Sequence, residues 1–203
     1  MDIGTALGGI SAAFGLASSA GLNAYIPLLF VALAARFPAG DPLLHLAEPY
    51  NLLGSWWAIA LIAVLLVVEI TVDKIPAVDT INDGIQTFVR PTAGALLFAA
   101  NANVITEISP ILALFAGLLL AGGVHATKAT VRPAVTATTV GTGNWLASTL
   151  EDLAAAFISV LSLLIPVVMG LLLVLLFAYI IRRVVRRRRR RVAYRSSIRR
   201  DSR

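Results

Sequence analysis

The sequence predicts an all-α integral membrane protein, a helical bundle with about five membrane segments. Two observations support this: 58% of the 203 residues are apolar and only 14% are charged, and the mean hydropathy is +0.85. A soluble domain usually carries about a quarter charged residues. Cysteine is absent, which excludes disulfides and thiolate metal sites.

Five apolar stretches are candidates for these segments, because about 20 apolar residues span the roughly 30 Å core of a bilayer. They cover residues 3–35, 56–72, 91–100, 110–124 and 154–181. The first is interrupted at Gly21-Leu22-Asn23 and again at Pro27, so we expect two half-helices. The third is short, so it either crosses the membrane or re-enters on the same side.

Small residues are frequent in the first and fourth apolar stretches. Gly8 and Gly9 lie in the first, and Gly117, Gly122 and Gly123 lie in the fourth. In lipid, helices associate through close backbone approach rather than through a hydrophobic driving force. These residues therefore predict tight helix packing, which we favour over a ligand role.

The charge of the chain is divided between two regions. Residues 1–181 hold five Lys and Arg against ten Asp and Glu, whereas residues 182–203 hold twelve Arg and one Asp. We therefore expect a membrane domain, 1–181, and an arginine-rich, disordered tail, 182–203. Positive residues beside a membrane segment stay on the cytoplasmic side. This predicts a multi-pass protein of the cell membrane with a cytoplasmic C-terminus.

The tail is also expected to bind membrane lipids with anionic headgroups, at about 1 kcal/mol for each basic residue near the surface. The predicted lipid-surface anchor consists of Arg182, Arg183, Arg186, Arg187, Arg188, Arg189, Arg190 and Arg191. A basic run can also neutralise nucleic-acid phosphates. The tail lacks stacking aromatics apart from Tyr194, so nucleic acid is the less favoured partner.

Polar residues between the apolar stretches carry most of the chemical information. The first polar stretch, 69–83, contains Glu69, Asp73, Lys74, Asp79 and Asp83. A spacing of four residues places two carboxylates on one helix face. Carboxylates at a membrane boundary are costly unless they are hydrated, paired or bound to a cation. The stretch is therefore either a salt-bridged cap on a helix hairpin or a functional polar site.

A second polar stretch, 125–152, resembles the first in its order. Lys74 and Lys128 each follow a long apolar run, and Val89-Arg90-Pro91 matches Val131-Arg132-Pro133 at a spacing of 42 residues. The matching order suggests an internal repeat. Internal repeats with broken helices at their junction are a common plan of transporters.

The positive residues of both stretches conflict with the predicted topology. If the tail is cytoplasmic and all five segments cross, Lys74, Arg90, Lys128 and Arg132 fall on the outer side, against the usual positive bias. Either they are held inside the bundle, or the third stretch re-enters. Both solutions draw the charged stretches into the protein.

Motifs for catalysis or metal binding are scarce. The sequence has no phosphate-binding glycine loop, nucleophile elbow or metalloprotease helix. His45 and His125 are 80 residues apart and form no zinc pattern. Oxygen ligands suit Mg²⁺ or Ca²⁺, which makes Asp73, Asp79 and Asp83 weak metal candidates. We predict neither a bound metal nor a cofactor.

Several of these motifs resemble those of domain-of-unknown-function family 4126. They are residues 21–29 (Gly-Leu-Asn-Ala-Tyr-Ile-Pro-Leu-Leu), 69–79 (Glu-x-x-x-Asp-Lys-Ile-Pro-x-x-Asp), Arg90-Pro91, and 136–139 followed by Gly143-Asn144. The resemblance covers about residues 8–170 and excludes the arginine tail. It implies a multi-pass bacterial membrane protein and no established substrate.

Three functional hypotheses remain open. The first is a small permease for an ion, a polar metabolite or a lipid headgroup. The second is a structural or accessory membrane protein without transport activity. The third, less favoured, is a membrane enzyme that acts on lipid headgroups with a carboxylate as base. The bundle is small for a monomeric transporter, so we also expect a homodimer.

The permease hypothesis places its site where the broken first stretch meets the two charged stretches. Asp73 and Asp79 would bind a cation or a proton, and Lys74, Arg90, Lys128 and Arg132 would hold an anionic group. The predicted substrate-binding residues are Asn23, Tyr25, Glu69, Asp73, Lys74, Asp79, Asp83, Arg90, Lys128, Arg132 and Asn144.

Overall fold

The computed structural model describes residues 3–40, 42–46, 48–72, 76–101, 109–139, 143–166, 168, 171–172, 174–183 and 186. Within these ranges the side chains of residues 3, 5 and 76–81 are not described. The regular secondary structure of the described residues is helical, with no strand among them, which confirms the predicted all-α fold. The helices are α1 (Ile3–Ala20), α2 (Tyr25–Ala34), α3 (Trp56–Val72), α4 (Pro76–Asn101), α5 (Pro110–Thr139) and α6 (Gly143–Leu164), and a 3₁₀ helix (Tyr50–Gly54) precedes α3.

The first apolar stretch is broken where the sequence predicts it, since α1 ends at Ala20 and α2 begins at Tyr25. The Asn23 side-chain oxygen accepts hydrogen bonds from the backbone N–H groups of Tyr25 and Ile26, both at 3.0 Å. Such a cap satisfies N–H groups that have no partner within the new helix. A Cβ atom at Gly21 would lie 2.5 Å from the Ala121 carbonyl oxygen, so only glycine fits at the break.

Helices α4 and α5 are longer than the apolar runs that they contain. Residues 91–100 are the second half of the 26-residue helix α4, and the polar residues 125–139 continue the 30-residue helix α5. The sequence suggests breaks because proline usually ends or kinks a helix, yet Pro91 and Pro133 both lie inside helices. At 1.5 Å per residue, α4 is about 39 Å long, which is enough to cross a bilayer.

Helices α4 and α5 form an antiparallel hairpin, because residue numbers rise on one helix as they fall on the other. Asp83 pairs with Arg132, whereas Gly94, eleven residues later, faces Gly117. A Cβ atom at Gly117 would overlap the Gly94 carbonyl oxygen and lie 2.7 Å from the Ala95 Cα atom. The expected tight packing through small residues is therefore found at this crossing.

The bundle has an apolar half and a charged half. In the apolar half, α1 begins beside the end of α4, where a Cβ atom at Gly9 would lie 2.8 Å from the Asn101 carbonyl oxygen. Leu16, Leu28 and Leu97 form part of the dry core between the two halves. The charged half contains the break between α1 and α2 together with the inward-facing polar residues of α3 to α6.

Apolar side chains cover much of the outer surface. Helices α5 and α6 are long and apolar enough to cross a membrane. Only 22% of the most apolar part of each helix is buried inside the protein. Large apolar side chains such as Val67, Phe88 and Leu119 are exposed, while Glu69 and Arg90 are buried. A soluble protein has the opposite arrangement. The described residues therefore form a membrane-type helical bundle with two helices that qualify as spans.

Residues 171–203 form a separate compact unit. Its described residues, 171–172 and 174–183, are helical, and they expose apolar side chains such as Leu171 and Tyr179. The Arg183 guanidinium lies 6.0 Å from the centre of the Tyr179 ring. Arg182, Arg183 and Arg186 are described. Arg187 to Arg191 lie outside the described residues, so the lipid anchor remains a prediction.

Candidate functional site

Ionisable side chains from four helices meet in the charged half of the bundle. They form three ion pairs, each of which joins two different helices. We call this set the charged cluster. Its members are Glu69 of α3, Asp83 and Arg90 of α4, His125, Lys128 and Arg132 of α5, and Glu151 of α6.

Arg90 lies at the centre of the charged cluster and is 0% exposed. Its Nη2 atom donates a hydrogen bond to Glu69 Oε1 at 3.0 Å, and its Nη1 atom lies 3.1 Å from His125 Nδ1. Arg90 therefore joins α3, α4 and α5 through one planar group. Glu69, which is 1% exposed, would be costly to bury without such a cation.

A second ion pair lies farther along the hairpin. Arg132 Nη1 donates to both carboxylate oxygens of Asp83, at 3.2 and 3.1 Å. The Arg132 side chain is buried, whereas that of Asp83 is partly exposed. This pair joins α4 to α5 two turns of helix away from Arg90.

The break between α1 and α2 is tied to the charged cluster at two points. Lys128 Nζ lies 2.8 Å from Glu151 Oε2 and donates to the Leu22 carbonyl oxygen at 3.4 Å. Beside it, the Asn23 side-chain amide donates to Asp152 Oδ1 at 2.9 Å. An unwound backbone carbonyl thus faces a buried cation, and a cap residue binds an acid of α6.

Tyr25 and Gln86 complete this region. The Tyr25 hydroxyl lies close to the Gln86 side chain and to the charges of Glu69 and Arg90. Gln86 is buried, and its Oε1 atom accepts no hydrogen bond from the described part of the chain. The site therefore offers an acceptor that a bound solute or a water molecule could use.

Large apolar side chains lie on the outer surface near the charged cluster, together with exposed threonines such as Thr87 and Thr127. Ile85 and Phe88 of α4, only a few residues from Arg90, are 58% and 77% exposed, and Val131, next to Arg132, is 55% exposed. Trp145 and Leu146 are exposed at the same end of α6. The ionisable groups of the charged cluster thus face the bundle interior, which is where charges inside a membrane are found.

Seven of the eleven predicted substrate-binding residues come together here: Asn23, Tyr25, Glu69, Asp83, Arg90, Lys128 and Arg132. Asn144 lies apart from the ion pairs, and its Oδ1 atom accepts a hydrogen bond from the Thr136 hydroxyl at 2.9 Å. Asp73 and Lys74 lie outside the described residues, and so does the side chain of Asp79. Whether any of these residues binds a substrate stays a prediction.

Sequence reasoning missed His125, Gln86, Glu151 and Asp152 as site residues. A helical spacing could have found His125, because residues 125, 128 and 132 follow the i, i+3, i+7 pattern of one helix face. Gln86 precedes Arg90 by four residues and shares its face for the same reason. Glu151 and Asp152 carry no such signal, since their partners are far away in the sequence.

A metal site has no support among the described residues, where no three His, Asp or Glu side chains are arranged to hold an ion. Asp83, one of the weak candidates, directs both carboxylate oxygens at Arg132. The other two candidates, Asp73 and the side chain of Asp79, are outside the described residues.

Comparison with known proteins gives one match. The family model described as a domain of unknown function, DUF4126, matches residues 10–186. That range includes α2 to α6, nearly all of α1 and the whole charged cluster. No curated protein and no solved structure matches the chain. Because the matched range covers most of the chain, this protein belongs to the DUF4126 family.

Proposed function

We propose that the chain is a small membrane permease for an ion or a polar solute, with the charged cluster as its binding site. The observation that carries this proposal is a set of three ion pairs beside the break between α1 and α2, in which all three basic side chains and Glu69 are buried. Ionisable groups are expensive inside a membrane, and they commonly mark the path of an ion or a substrate.

The break between α1 and α2 supports the same function. Many transporters bind their substrates where a helix is interrupted, because the free backbone groups and helix ends there can coordinate ions. Here the Leu22 carbonyl oxygen and the Asn23 side chain contact Lys128 and Asp152. The break therefore supplies polar backbone to the charged cluster rather than only reversing the chain.

Each ion pair can exchange its partner for a charged part of a solute. An anionic group could replace a carboxylate on Arg90, Lys128 or Arg132, and a cation or a proton could then neutralise the released carboxylate. Separating a buried pair without replacement costs about 3–5 kcal/mol. The exchange must therefore be matched in charge, which favours solutes that carry a charge or move together with a counter-ion.

Single cysteines test this proposal, because the natural sequence has none. We would place one cysteine in turn at Gln86 and Ser148, which are buried in or beside the charged cluster. Each variant, in sealed vesicles of known orientation, would be treated with an impermeant methanethiosulfonate from one side at a time. A permease predicts reaction from both sides, as alternating access exposes the site to each in turn.

Leu97→Cys provides the control, because Leu97 is fully buried in the apolar core and should not react from either side. Reaction of the two test positions from one fixed side, or from neither, would overturn the permease proposal.

A structural role is the second candidate, and the same ion pairs favour it. They join α3 to α4, α4 to α5 and α5 to α6, so they could serve only to hold the bundle together. That role predicts one-sided or absent labelling, and it predicts that loss of a pair lowers the stability of the protein and changes nothing else.

A further inference from the structure

The hydrogen bonds around His125 fix its protonation state. Arginine has only donors, so the Arg90 Nη1 atom, 3.1 Å away, donates to Nδ1 of His125. That nitrogen must therefore carry a lone pair. The ring hydrogen then lies on Nε2, which is 3.2 Å from the Thr87 Oγ1 atom.

Thr87 completes the assignment from the other side. Its hydroxyl donates to the Asp83 carbonyl oxygen at 2.8 Å, so its oxygen is left to accept the His125 Nε2 hydrogen. The direction of each hydrogen bond from Arg90 to the Asp83 carbonyl is thus determined. His125 is neutral in this arrangement, and its only site for another proton is the Nδ1 atom.

A proton at Nδ1 is incompatible with the present position of Arg90. It would place an N–H group against another N–H group at 3.1 Å, and two positive charges side by side in a buried site. The Arg90 guanidinium also binds Glu69, so any separation of Arg90 from His125 changes the contact between α4 and α5 while Glu69 holds Arg90 toward α3.

The other charges near His125 influence the competition between a proton and Arg90 for the Nδ1 atom. Asp83 and Arg90 on α4, and Lys128 and Arg132 on α5, are the charged groups of the described residues that act on the ring. Glu69 on α3 accepts a hydrogen bond from Arg90, and the Tyr25 hydroxyl on α2 lies near the charges of both residues. Proton uptake adds one positive charge to a set in which every described cation already binds a carboxylate.

We propose that His125 is a proton-binding site whose occupation displaces Arg90, so that proton binding opens the Arg90 end of the charged cluster. The proton adds to the Nδ1 lone pair and no group leaves. The competition between the proton and Arg90 stands on the hydrogen bonds alone. Its use, to couple protons to the movement of a solute, rests on the proposed permease function.

Nitrogen-15 NMR of the histidine rings tests this proposal on the full chain in lipid bilayers. His45 and His125 are the two histidines, and His45→Gln leaves a single labelled ring. Near neutral pH we expect a ring with hydrogen on Nε2 only and a close 15N–15N contact between Nδ1 and the Arg90 guanidinium. On acidification we expect Nδ1 to gain a proton and the contact to disappear over the same pH range.

Three results would overturn the proposal: hydrogen on Nδ1 at neutral pH, a contact with Arg90 that persists in the doubly protonated ring, or no protonation down to the pH at which the helices unfold. Thr87→Val is a matched variant, because it removes the Nε2 acceptor and leaves Arg90 in place. It should retain the competition at Nδ1. Loss of the competition in this variant would also count against the proposal.

The outcomes separate this inference from the permease function. If the ring behaves as expected but cysteines in the charged cluster react from one side only, the proton site stands and the permease fails. If cysteines react from both sides but the contact between Arg90 and His125 persists after His125 is protonated, the permease function stands and proton coupling fails.

Discussion

Two parts of the α4–α5 hairpin hold the same two helices together by different means. Near Gly94 and Gly117 the backbones touch, with no room for a Cβ atom at either glycine. Near Arg90 and His125 the helices are joined by long side chains and hydrogen bonds. The glycine contact allows one arrangement of the backbones, whereas the charged contact can exchange partners without moving the helices far.

This difference assigns a role to each part. In lipid, where helices gain little from hydrophobic association, close packing and hydrogen bonds must provide stability. The glycine crossing lies in the apolar half and can act as a fixed point of the hairpin. The charged half lies beyond it and contains the groups for which the proposed solute and proton would compete.

The glycine crossing is expected to give the largest effect. Gly117→Val places a branched side chain against the Gly94 carbonyl oxygen and the Ala95 Cα atom. The backbones cannot move apart without separating the two helices of the hairpin. We therefore expect the free energy of unfolding to fall by more than about 3 kcal/mol, beyond the usual range for an overpacked site. Size-exclusion chromatography and thermal unfolding followed by circular dichroism would measure it.

Gly123→Val is the matched control, because a Cβ atom at Gly123 meets nothing within 4 Å. The change in the free energy of unfolding should stay within about 0.5 kcal/mol, as for most exposed positions. A small gain is added because valine has a higher helix propensity than glycine. Equal behaviour of the two variants would mean that the crossing does not hold the hairpin.

Removing Arg90 should give the next largest effect. Arg90→Met leaves the buried Glu69 carboxylate without this guanidinium, and breaking such a pair costs about 3–5 kcal/mol. The double variant Glu69→Leu with Arg90→Met should recover most of that loss, because apolar residues can replace a buried ion pair at little cost. Unfolding of both variants in the same detergent would measure the recovery.

The double variant also tests whether the charged half does more than hold the helices together. If stability returns while two-sided cysteine labelling at position 86 stays absent, the pair has a function that stability does not explain. If stability and two-sided labelling return together, the pair acts as a packing contact and is not part of the transport site. Failure of the double variant to recover stability would show that the fold needs these charges.

Sequence reasoning predicts some parts of this arrangement and misses others for physical reasons. Composition predicts the membrane bundle, and Asn23 with its neighbours predicts the break after α1. The topology argument predicts that Arg90, Lys128 and Arg132 lie inside the bundle. The length of α4 is missed because Pro91 suggests a helix boundary, although membrane helices tolerate proline when neighbouring groups bind the freed carbonyl.

The ion-pair partners could not be predicted from the sequence. Asp83 and Arg132 are 49 residues apart, and Asn23 and Asp152 are 129 apart. Which residues meet depends on how the helices pack, and that is determined in part by the glycine crossing in the apolar half. The charged half is therefore positioned by residues that carry no chemical signal of their own.

The smallest of these effects is expected at Asn23, where the break meets the charged half. Asn23→Ala removes two capping hydrogen bonds to α2 and the contact with Asp152, at a cost of about 1–2 kcal/mol. Asn23→Ser keeps a side-chain oxygen that can cap α2 but is too short to retain the Asp152 contact. Serine should therefore restore stability, as measured by thermal unfolding.

If serine restores stability but not the two-sided labelling of a cysteine placed at Ser148, the contact between the break and α6 belongs to the moving part of the protein. If serine leaves the protein as unstable as alanine does, the contact with Asp152 and not the cap holds the break in place.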